Sequence, residues 1–571
     1  MPHSDHAPPV FRPTYRLLLA SLLVGVVGAG AALAFEFLVE LSQGLLLGGI
    51  GGYTPPEAGT LEPEAMVPSG VDRLWLPVVT TLGGLLSGLL VYRFAPEAEG
   101  HGTDAAISAY HEHGGSVRPR IPFIKAIASA LTIGSGGVAG REGPTAQIAV
   151  GLGGIFTRWL RLRGEERRSV LLAAMAAGLA AMFRAPLGMA IFTVEVLYAG
   201  MVFESEALIY TVIAAVTSYA VFGFFSGWES VFAIPGDLSF HEPAALAGFA
   251  LLGILAGLIG AVLPTLLYRT QALFRRMPGP PHLRPAVGGL LVGLMALGAP
   301  EILGTGYGWI ELAMTEKLAL TTILLVLVLK GPAMVLTIGS GGSGGVFAPT
   351  VTLGATLGAA VGLLLQGLVP GIETPVAAYV VVGMAAIFAG AARTPISTLI
   401  MVAEMTGGYG LIVPAMLANV LAFLVQSSLT HNRLFPTLYQ SQVETREDSP
   451  LHRGVFVRRA IEIVERGHID SSEIRLPRLV NLLRYGEPIP VAEGEELLIA
   501  LEVEPESRLA DATVMDSLGK IEGATAVAVL REEEMLVPRG PTTLAAGDRV
   551  LIVATPAAVK SAQDMAKTHS T

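Results

Sequence analysis

The chain has 571 residues, of which 52% are apolar, 15% are charged and 68 are glycines. Soluble globular domains carry about 25% charged residues, so most of this chain is not water-soluble, and its mean hydropathy of +0.60 agrees. The absence of cysteine excludes disulfides, thiolate metal sites and cysteine nucleophiles, and the net charge of −10 provides no excess of positive charge for nucleic acid.

The charged residues are concentrated at the end of the chain. Residues 441–571 hold 37 of the 84 Asp, Glu, Lys and Arg side chains. This predicts a membrane-embedded part followed by a soluble tail. The predicted divisions are an N-terminal segment at 1–15, a transmembrane domain at 16–440 with halves at about 16–230 and 240–440, a linker at 441–484, a small soluble domain at 485–562 and a final segment at 563–571.

Apolar stretches long enough to cross a bilayer, about 20 residues each, recur through the first part of the chain. The clearest lie at 17–41, 74–94, 169–183, 208–225, 244–267, 318–336, 376–388 and 412–425. Other stretches are shorter or are broken by Gly and Pro, which is tolerated at membrane depth only inside protein or beside a watery cavity. We therefore predict an all-α polytopic membrane protein.

Basic residues predict the orientation of this membrane part. Arg12 and Arg16 precede the first apolar stretch, which is too long for a signal-peptide core. Further arginines crowd the loops at 158–168 and 269–284. By the positive-inside rule all three regions are cytoplasmic, so we predict an integral protein of the plasma (inner) membrane with cytoplasmic N- and C-termini.

Two blocks of sequence repeat at a nearly constant distance. Lys125, the run Thr-Ile-Gly-Ser-Gly-Gly at 132–137 and the Pro-Thr pair at 144–145 recur 205 residues later, beginning at Lys330. A second block recurs 209 residues later, in which Arg184, Pro186 and Glu195 correspond to Arg393, Pro395 and Glu404. Chance matches do not hold register over so many positions, so the membrane part consists of two homologous halves.

Each half contains a Gly-rich break inside an apolar region, a pattern that points to a transport site at the interface of the repeats. A helix that begins inside the membrane directs its N–H groups and the positive end of its dipole at the bound species. The predicted ligand is therefore an anion. Glycines that only permit close helix packing are the alternative.

Glu142 is the candidate gate at the first of these breaks. The segment at 140–144 reads Gly-Arg-Glu-Gly-Pro, whereas the corresponding segment at 345–349 reads Gly-Val-Phe-Ala-Pro and has Phe347 in place of the glutamate. An ionised Glu142 can mimic an anion in its site, and protonation would release it. A carboxylate that only complements the helix dipole is the alternative.

These two segments resemble the hallmark GREGP-type and GxFxP-type segments of the CLC family of chloride channels and chloride/proton antiporters, over about residues 15–440. The resemblance implies two inverted repeats and a homodimer with one anion pathway per subunit. It also implies that Glu142 gates and that Tyr439 closes the site from the inside with its hydroxyl. The anion-site residues that it implies are His101, Gly102, Arg141, Gly143, Gly345, Val346, Phe347, Ala348 and Tyr439.

Lys125 matches a buried lysine of the family, and Lys330 is its repeat partner. A lysine at membrane depth is a functional candidate, with snorkelling to the interface as the alternative. Tyr439 by itself also fits an interfacial anchor, so its role depends on the resemblance.

The segment around His101 departs from the family pattern. Members typically have Gly-Ser-Gly-Ile-Pro where this chain has Gly-His-Gly-Thr-Asp at 100–104. An imidazole therefore replaces the hydroxyl that coordinates the anion, and histidine titrates near neutral pH. We expect His101 to alter both anion preference and pH response, unless it is an ordinary interfacial histidine. No metal site is predicted, because the spacing of His101, Asp104, His111 and His113 fits no familiar one.

Val196 is the second departure. The antiporters of the family commonly have two consecutive acidic residues here, and the second relays protons, whereas this chain has Glu195 followed by valine. Valine cannot carry a proton, so the resemblance favours a passive, chloride-selective channel, with a proton-coupled chloride antiporter as the alternative. Glu195 and Glu404 are expected to be structural partners of backbone or arginine groups.

The soluble tail has strand-like apolar runs at 491–503, 524–530 and 544–554, which predict a small α/β unit. Short segments at 529–531, 537–538 and 546–548 resemble the ligand-binding (TrkA-C-like) half of RCK regulatory domains. This resemblance implies a regulatory small molecule, with a nucleotide as a candidate, or a dimerisation module without a ligand.

Because such tails also accompany cation carriers, transport of a cation or of another anion is a further alternative, and a receptor or scaffold with a vestigial pore is a third. No enzyme motif is present, and we predict neither a catalytic residue nor a bound cofactor.

Overall fold

The computed structural model describes residues 15–59, 70–236, 238–369, 373–431, 433, 435–450, 489–491, 496–531, 534–536 and 538–566. Two compact units are present, Met1–Glu444 and Thr445–Thr571. Of the predicted N-terminal segment, linker and final segment, residues 1–14, 451–484 and 567–571 lie outside the described residues, as do residues 485–488, 492–495, 532–533 and 537 of the predicted tail domain.

The first unit is helical, and its helices follow the duplication of the sequence. The first half contains α1 (Tyr15–Gln43), α2 (Trp75–Phe94), α3 (Thr103–His111), α4 (Ile121–Gly134), α5 (Glu142–Trp159), α6 (Gly164–Phe183), α7 (Pro186–Glu195) and α8 (Leu208–Ser226). The second half contains α9 (Leu246–Arg275), α10 (Arg284–Ala296), α11 (Tyr307–Met314), α12 (Leu320–Gly339), α13 (Phe347–Leu368), α14 (Val376–Ala392), α15 (Pro395–Thr406) and α16 (Ile412–Thr430).

Seven helical segments of the described chain are long and apolar enough to cross a membrane. They are Tyr15–Ile50, Asp72–Phe94, Ser205–Ser226, Pro243–Arg275, Leu320–Gly339, Phe347–Leu368 and Tyr409–Thr430. The prediction of an all-α polytopic membrane protein is thereby confirmed.

The predicted apolar stretches at 169–183 and 376–388 are surrounded by protein. They belong to α6 and α14, and every residue of α14 is buried within the unit. Glycines make this possible, because they let α13 and α14 cross with their backbones in contact. A Cβ at Gly354 would overlap the carbonyl oxygen of Gly383, and the reverse also holds.

The Gly-rich segments end α4 and α12 in the same way. Gly136 and Gly341 adopt φ of +95° and +99°, a left-handed conformation that favours glycine. The next residue then donates back to its helix, from the Gly137 nitrogen to the Thr132 oxygen and from Gly342 to Thr337, at 2.9 and 3.1 Å. The repeat in sequence is thus a repeat of helix C-caps inside the membrane unit.

Two glutamates connect the halves by capping each other's helices. Glu195, at the end of α7, accepts hydrogen bonds from the backbone N–H groups of Ile396 and Ser397 in the first turn of α15, at 3.2 and 2.8 Å. Glu404, on α15, accepts from Leu187 and Gly188 in the first turn of α7, at 3.1 and 2.7 Å. Both carboxylates satisfy donors that a helix start leaves unpaired.

In its described residues, the second unit contains a five-stranded antiparallel sheet of order β1-β2-β5-β3-β4. The strands are β1 (Ile489–Val491), β2 (Glu496–Glu502), β3 (Ala524–Arg531), β4 (Glu534–Leu536) and β5 (Arg549–Ala554), and the helix α17 (Pro556–Ala566) follows. Ile499, Val529 and Ile552 form the core together with Ala558 and Ala562 of α17. The predicted small α/β unit is confirmed.

Candidate anion-binding site

The two broken helices of the repeats meet at their N-termini. The backbones of Gly140 and Gly345, which precede α5 and α13, exchange two hydrogen bonds of 2.7 Å. Because each glycine lies just before a helix start, the pairing brings two sets of unbonded helix N–H groups to one place inside the membrane unit. An anion is the ligand that such a place favours.

The carboxylate of Glu142 occupies this place. Glu142 is the first residue of α5 and is 3% exposed. Its Oε1 accepts a hydrogen bond of 2.7 Å from the hydroxyl of Tyr307. Its Oε2 lies against Gly140 and Gly345, where a Cβ at Gly140 would overlap it. Among the described residues Oε2 has no hydrogen-bond partner, although the backbone N–H of Ala348 approaches the carboxylate.

The start of α13 surrounds the same point from the second half. Val346 is the N-cap residue and Phe347 the first helical residue, and both are buried. The Phe347 ring packs edge-on against Phe183 and Phe388, at centroid distances of 4.8 and 4.6 Å. These contacts fix the backbone of the helix start without placing a charge beside it.

Glycines bring the segment at 100–104 onto the start of α5. A Cβ at Gly143 would overlap the carbonyl oxygen of His101, and a Cβ at Gly102 would overlap that of Gly143. Gly102 also has φ of +74°, which permits the sharp entry into α3. The structure thus brings His101, Gly102 and Gly143 together.

The His101 imidazole lies beside Tyr439. The two ring centroids are 5.5 Å apart, and the Tyr439 hydroxyl interacts with the side chain of Thr103. Both rings are buried, and the Nδ1 of His101 has no hydrogen-bond partner among the described residues. Two residues that are 338 positions apart in the sequence therefore face one another at the site.

A cavity of about 300 Å³ lies beside His101. Its wall carries the acidic side chains Glu97, Glu99 and Asp104 and the basic side chain Arg275, together with His101. Arg275 ends α9 in the Arg-rich loop region that the positive-inside rule predicts to be cytoplasmic. The cavity therefore lies on the predicted cytoplasmic side of the site.

Lys125 and Lys330 hold the two loops that lead to the short helices α3 and α11. The Lys125 Nζ donates to the carbonyl oxygens of Ala98 and Gly100, at 3.1 and 2.7 Å. The Lys330 Nζ donates to Ile302 and Gly304, at 2.8 and 3.0 Å. Neither lysine snorkels, because both are fully buried; both position backbone in equivalent ways.

The other predicted site residues are committed to neighbours. The Arg141 Nη1 is 3.4 Å from the Glu36 carboxylate of α1, so its positive charge is paired. Val196 is buried at the C-terminus of α7, and its carbonyl oxygen accepts from the Gln442 side chain at 2.9 Å. Glu195 is occupied by its helix-capping role on α15.

Tyr307 is the site residue that sequence reasoning missed. It begins α11, the helix that corresponds to α3 in the other half. The available signal was the repeat itself: Gly-His-Gly-Thr at 100–103 aligns with Gly-Thr-Gly-Tyr at 304–307, a distance of 204 residues. The position of Thr103, near Tyr439, is thus taken in the second half by a tyrosine that bonds to Glu142.

The chain is similar to known proteins in both its membrane unit and its tail. Residues 83–427 match the family model described as voltage gated chloride channel, and residues 498–567 match that of the TrkA-C domain. A protein of Ralstonia nicotianae named as a ClcB-like chloride channel is 30% identical over 439 residues, which are 76% of this chain and 98% of that protein.

Transporters with named activities are also similar. The H(+)/Cl(-) exchange transporter ClcA of Salmonella arizonae is 31% identical over 435 residues, 74% of this chain and 88% of the transporter. The crystal structure of a slow cyanobacterial Cl-/H+ antiporter has the same fold, with a TM-score of 0.65 at 23% identity, over 75% of this chain and 97% of the antiporter.

Proposed function

The chain belongs to the family of voltage-gated chloride channel proteins, known as CLC, and we propose that it exchanges chloride for protons across the plasma (inner) membrane. Its membrane unit is an anion transporter of this family, followed by a TrkA-C domain. The exchange activity, the chloride preference and the membrane concerned are the proposed parts.

The observation that carries the proposal is the Glu142 carboxylate between the starts of α5 and α13. One of its oxygens lies at the Gly140–Gly345 pair without a hydrogen-bond partner among the described residues, in the position where helix N–H groups favour a negative charge. We propose that chloride and this carboxylate compete for the place. Protonation of Glu142 then frees the site, so that each proton taken up is linked to anion movement.

Exchange is favoured over the passive channel that the sequence analysis preferred. That preference depended on Val196, which cannot relay a proton. The named H(+)/Cl(-) exchange transporter among the relatives supports the antiporter alternative instead. Passive conduction is kept as the second candidate, since Val196 is buried and no acid occupies its position.

Proton entry from the inside then needs groups other than residue 196. The 300 Å³ cavity supplies titratable side chains at Glu99, His101 and Asp104. We propose that protons reach the anion site along this wall, while Tyr439 and Thr103 close the inner end of the anion site. His101 adds an imidazole to this wall.

The proposed oligomeric state, orientation and ligands are those implied by the resemblance to the family. We propose a homodimer in which each subunit has its own anion pathway, with both termini in the cytoplasm and no cofactor in the membrane unit. The TrkA-C domain is proposed to bind a small regulatory ligand, with nucleotides as the first candidates. Thermal unfolding of the full chain against a nucleotide panel tests this, and an unchanged midpoint with every compound would leave a purely structural domain.

Anion flux and proton flux in liposomes test the proposed function. Replacement of Glu142 by Gln imitates the protonated gate, so we expect at least about ten-fold faster chloride flux, which is 1.4 kcal/mol in barrier height, and loss of proton-coupled movement. The exposed Glu229 provides the matched control, since Glu229→Gln removes a charge elsewhere and should leave both fluxes unchanged.

The zero-current voltage distinguishes exchange from conduction. A proton gradient imposed at equal chloride concentrations shifts this voltage in a coupled exchanger and leaves it at zero in a channel. A zero shift with normal chloride flux contradicts exchange and supports the channel. Equal chloride fluxes in Glu142→Gln and wild type contradict the gate itself.

A further inference from the structure

The Tyr307 hydroxyl is the one side-chain donor to the gating carboxylate within the described part of the chain. It donates to Oε1 of Glu142 over 2.7 Å. The two residues come from different halves of the repeat, on α11 and α5, so the bond crosses the interface that forms the anion site. Gly306, with φ of +92°, is the N-cap of α11 and permits the turn that directs this tyrosine toward the site.

The tyrosine ring is held in place by a neighbouring aromatic ring. Phe232 packs edge-on against it at a centroid distance of 5.1 Å and is itself fully buried. The backbone N–H of Phe232 donates to Met405 at 2.9 Å. The next residue, Ala233, donates to the Glu311 carboxylate at 2.7 Å, one turn along α11 from Tyr307. The hydroxyl is therefore presented to Glu142 by a fixed framework.

On this basis, and resting on the gating role proposed for Glu142, we propose that Tyr307 is a positioning residue that latches the ionised glutamate in the anion site and sets the proton concentration needed to release it. The hydroxyl donates more strongly to a charged carboxylate than to a neutral carboxyl group. The latch is therefore strong while Glu142 is ionised and weak once it is protonated. Departure of the ionised side chain requires this bond to break.

The other charged and titratable groups that face Glu142 are few. Arg141 precedes it in the chain, but the arginine is paired with Glu36 of α1 at 3.4 Å. Tyr439 approaches from the inner side and interacts with Thr103. Helix α13 contributes the backbone N–H group of Ala348. Tyr307 is thus the neighbour whose removal changes the carboxylate without disturbing an ion pair.

Replacement of Tyr307 by Phe removes the hydroxyl and keeps the ring that packs on Phe232. We expect chloride flux in liposomes to rise about ten-fold at neutral pH, because a hydrogen bond to a charged group no longer holds the gate. We also expect the pH of half-maximal flux to move upward by about one unit, because the ionised form loses a stabilising donor. A merely structural tyrosine would lower flux at all pH values without moving the profile.

Two further variants make the result decisive. Tyr379→Phe is the matched control, because this buried tyrosine of α14 has a hydroxyl without a hydrogen-bond partner among the described residues; its flux and pH profile should equal those of the wild type. In a Glu142→Ala background, Tyr307→Phe should change neither the chloride flux nor its pH profile, because the carboxylate that accepts the tyrosine hydrogen bond is absent.

The failure of this inference is distinguishable from the failure of the proposed function. If Glu142→Ala raises flux but Tyr307→Phe has the wild-type rate and pH profile, the gate stands and the latch is overturned. If Glu142→Ala itself leaves flux and its pH dependence unchanged, the gating proposal fails. If Tyr307→Phe changes the flux equally in the wild-type and Glu142→Ala backgrounds, the proposed latch is also contradicted, because the tyrosine would then act through a group other than Glu142.

Discussion

A single carboxylate distinguishes the two equivalent helix starts of this protein. Glu142 begins α5, whereas Phe347 begins α13 and packs between two other rings. The helix N–H groups provide partial positive charge in both halves, but only the first half carries a group that can imitate an anion and be neutralised by a proton. In the proposed function, the asymmetry of these two residues is what gives a symmetric fold a gate.

His101 provides a second titratable group, at the inner end of the site. Replacement of His101 by Ser restores the hydroxyl that family members typically carry. We expect a change in anion preference and a flatter pH profile of flux, because an imidazole changes charge with pH in a range where a hydroxyl does not. Chloride and nitrate flux in liposomes at a series of pH values measures both.

The exposed His241 serves as the control for this substitution, since His241→Ser removes an imidazole far from the described cavity wall. An unchanged pH profile in His101→Ser would contradict a role of His101 in proton entry, even if the anion preference changed.

At the scale of elements, the reciprocal caps of α7 and α15 fasten the two halves together. Each helix begins with a proline, and each receives a glutamate from the end of the other. The carboxylates are worth more than ordinary caps, because they also carry the negative charge that a helix N-terminus favours. The same arrangement explains why Glu195 is not free to take over the proton-relay role that Val196 lacks.

Replacement of Glu404 by Ala is expected to lower the free energy of unfolding by about 1–3 kcal/mol, because two backbone donors at the start of α7 lose a charged acceptor. The midpoint of thermal unfolding in detergent measures the loss. Glu373 is exposed, so Glu373→Ala is the control that should not change the midpoint. Equal midpoints for the two variants would contradict a stabilising cap.

At the scale of the whole molecule, the chain joins two units that are stabilised by different kinds of interaction. The membrane unit buries lysines and glutamates against backbone groups, while the tail has an ordinary apolar core between its sheet and α17. The tail also contains an ion pair in which the carboxylate is buried and the arginine is partly exposed. Arg531 donates two hydrogen bonds to Asp548, at 2.9 and 2.7 Å, and the Ala545 backbone donates a third at 2.7 Å.

The Asp548 carboxyl makes the stability of the tail depend on pH. Burial by itself raises the pKa of Asp548. The hydrogen bonds from Arg531 and Ala545 together lower it by more than burial raises it, so the pKa lies below its ordinary value. The stabilisation is therefore complete above the unfolded-state pKa of about 4 and is lost as the pH falls through the lower folded-state value.

Replacement of Asp548 by Asn is expected to destabilise the tail by about 1–2 kcal/mol at neutral pH, a modest value because Arg531 is partly exposed to water. The variant should also lose the acid sensitivity. Hydrogen–deuterium exchange of the β5 amides in the full chain, between pH 3 and 7, measures both effects. Equal acid sensitivity in variant and wild type would show that another carboxyl group causes it.

The sequence by itself determined the duplication, the helical character of the membrane unit and the α/β tail. Helix breaks, apolar periods and turn residues are local signals, so they can be read at any position without knowledge of distant contacts. The placement of Glu142 at a helix start followed from the same local signals, because Pro144 and the flanking glycines mark that start.

Only the tertiary structure decided which of these local features meet. The Gly140–Gly345 pair, the exchanged caps of Glu195 and Glu404, the burial of α14 and the Tyr307 bond to Glu142 all join positions from different parts of the chain. Such contacts depend on how whole helices pack, and packing depends on the shapes of many side chains at once. A residue such as Tyr307 therefore looks like an ordinary aromatic until the second half of the repeat is folded against the first.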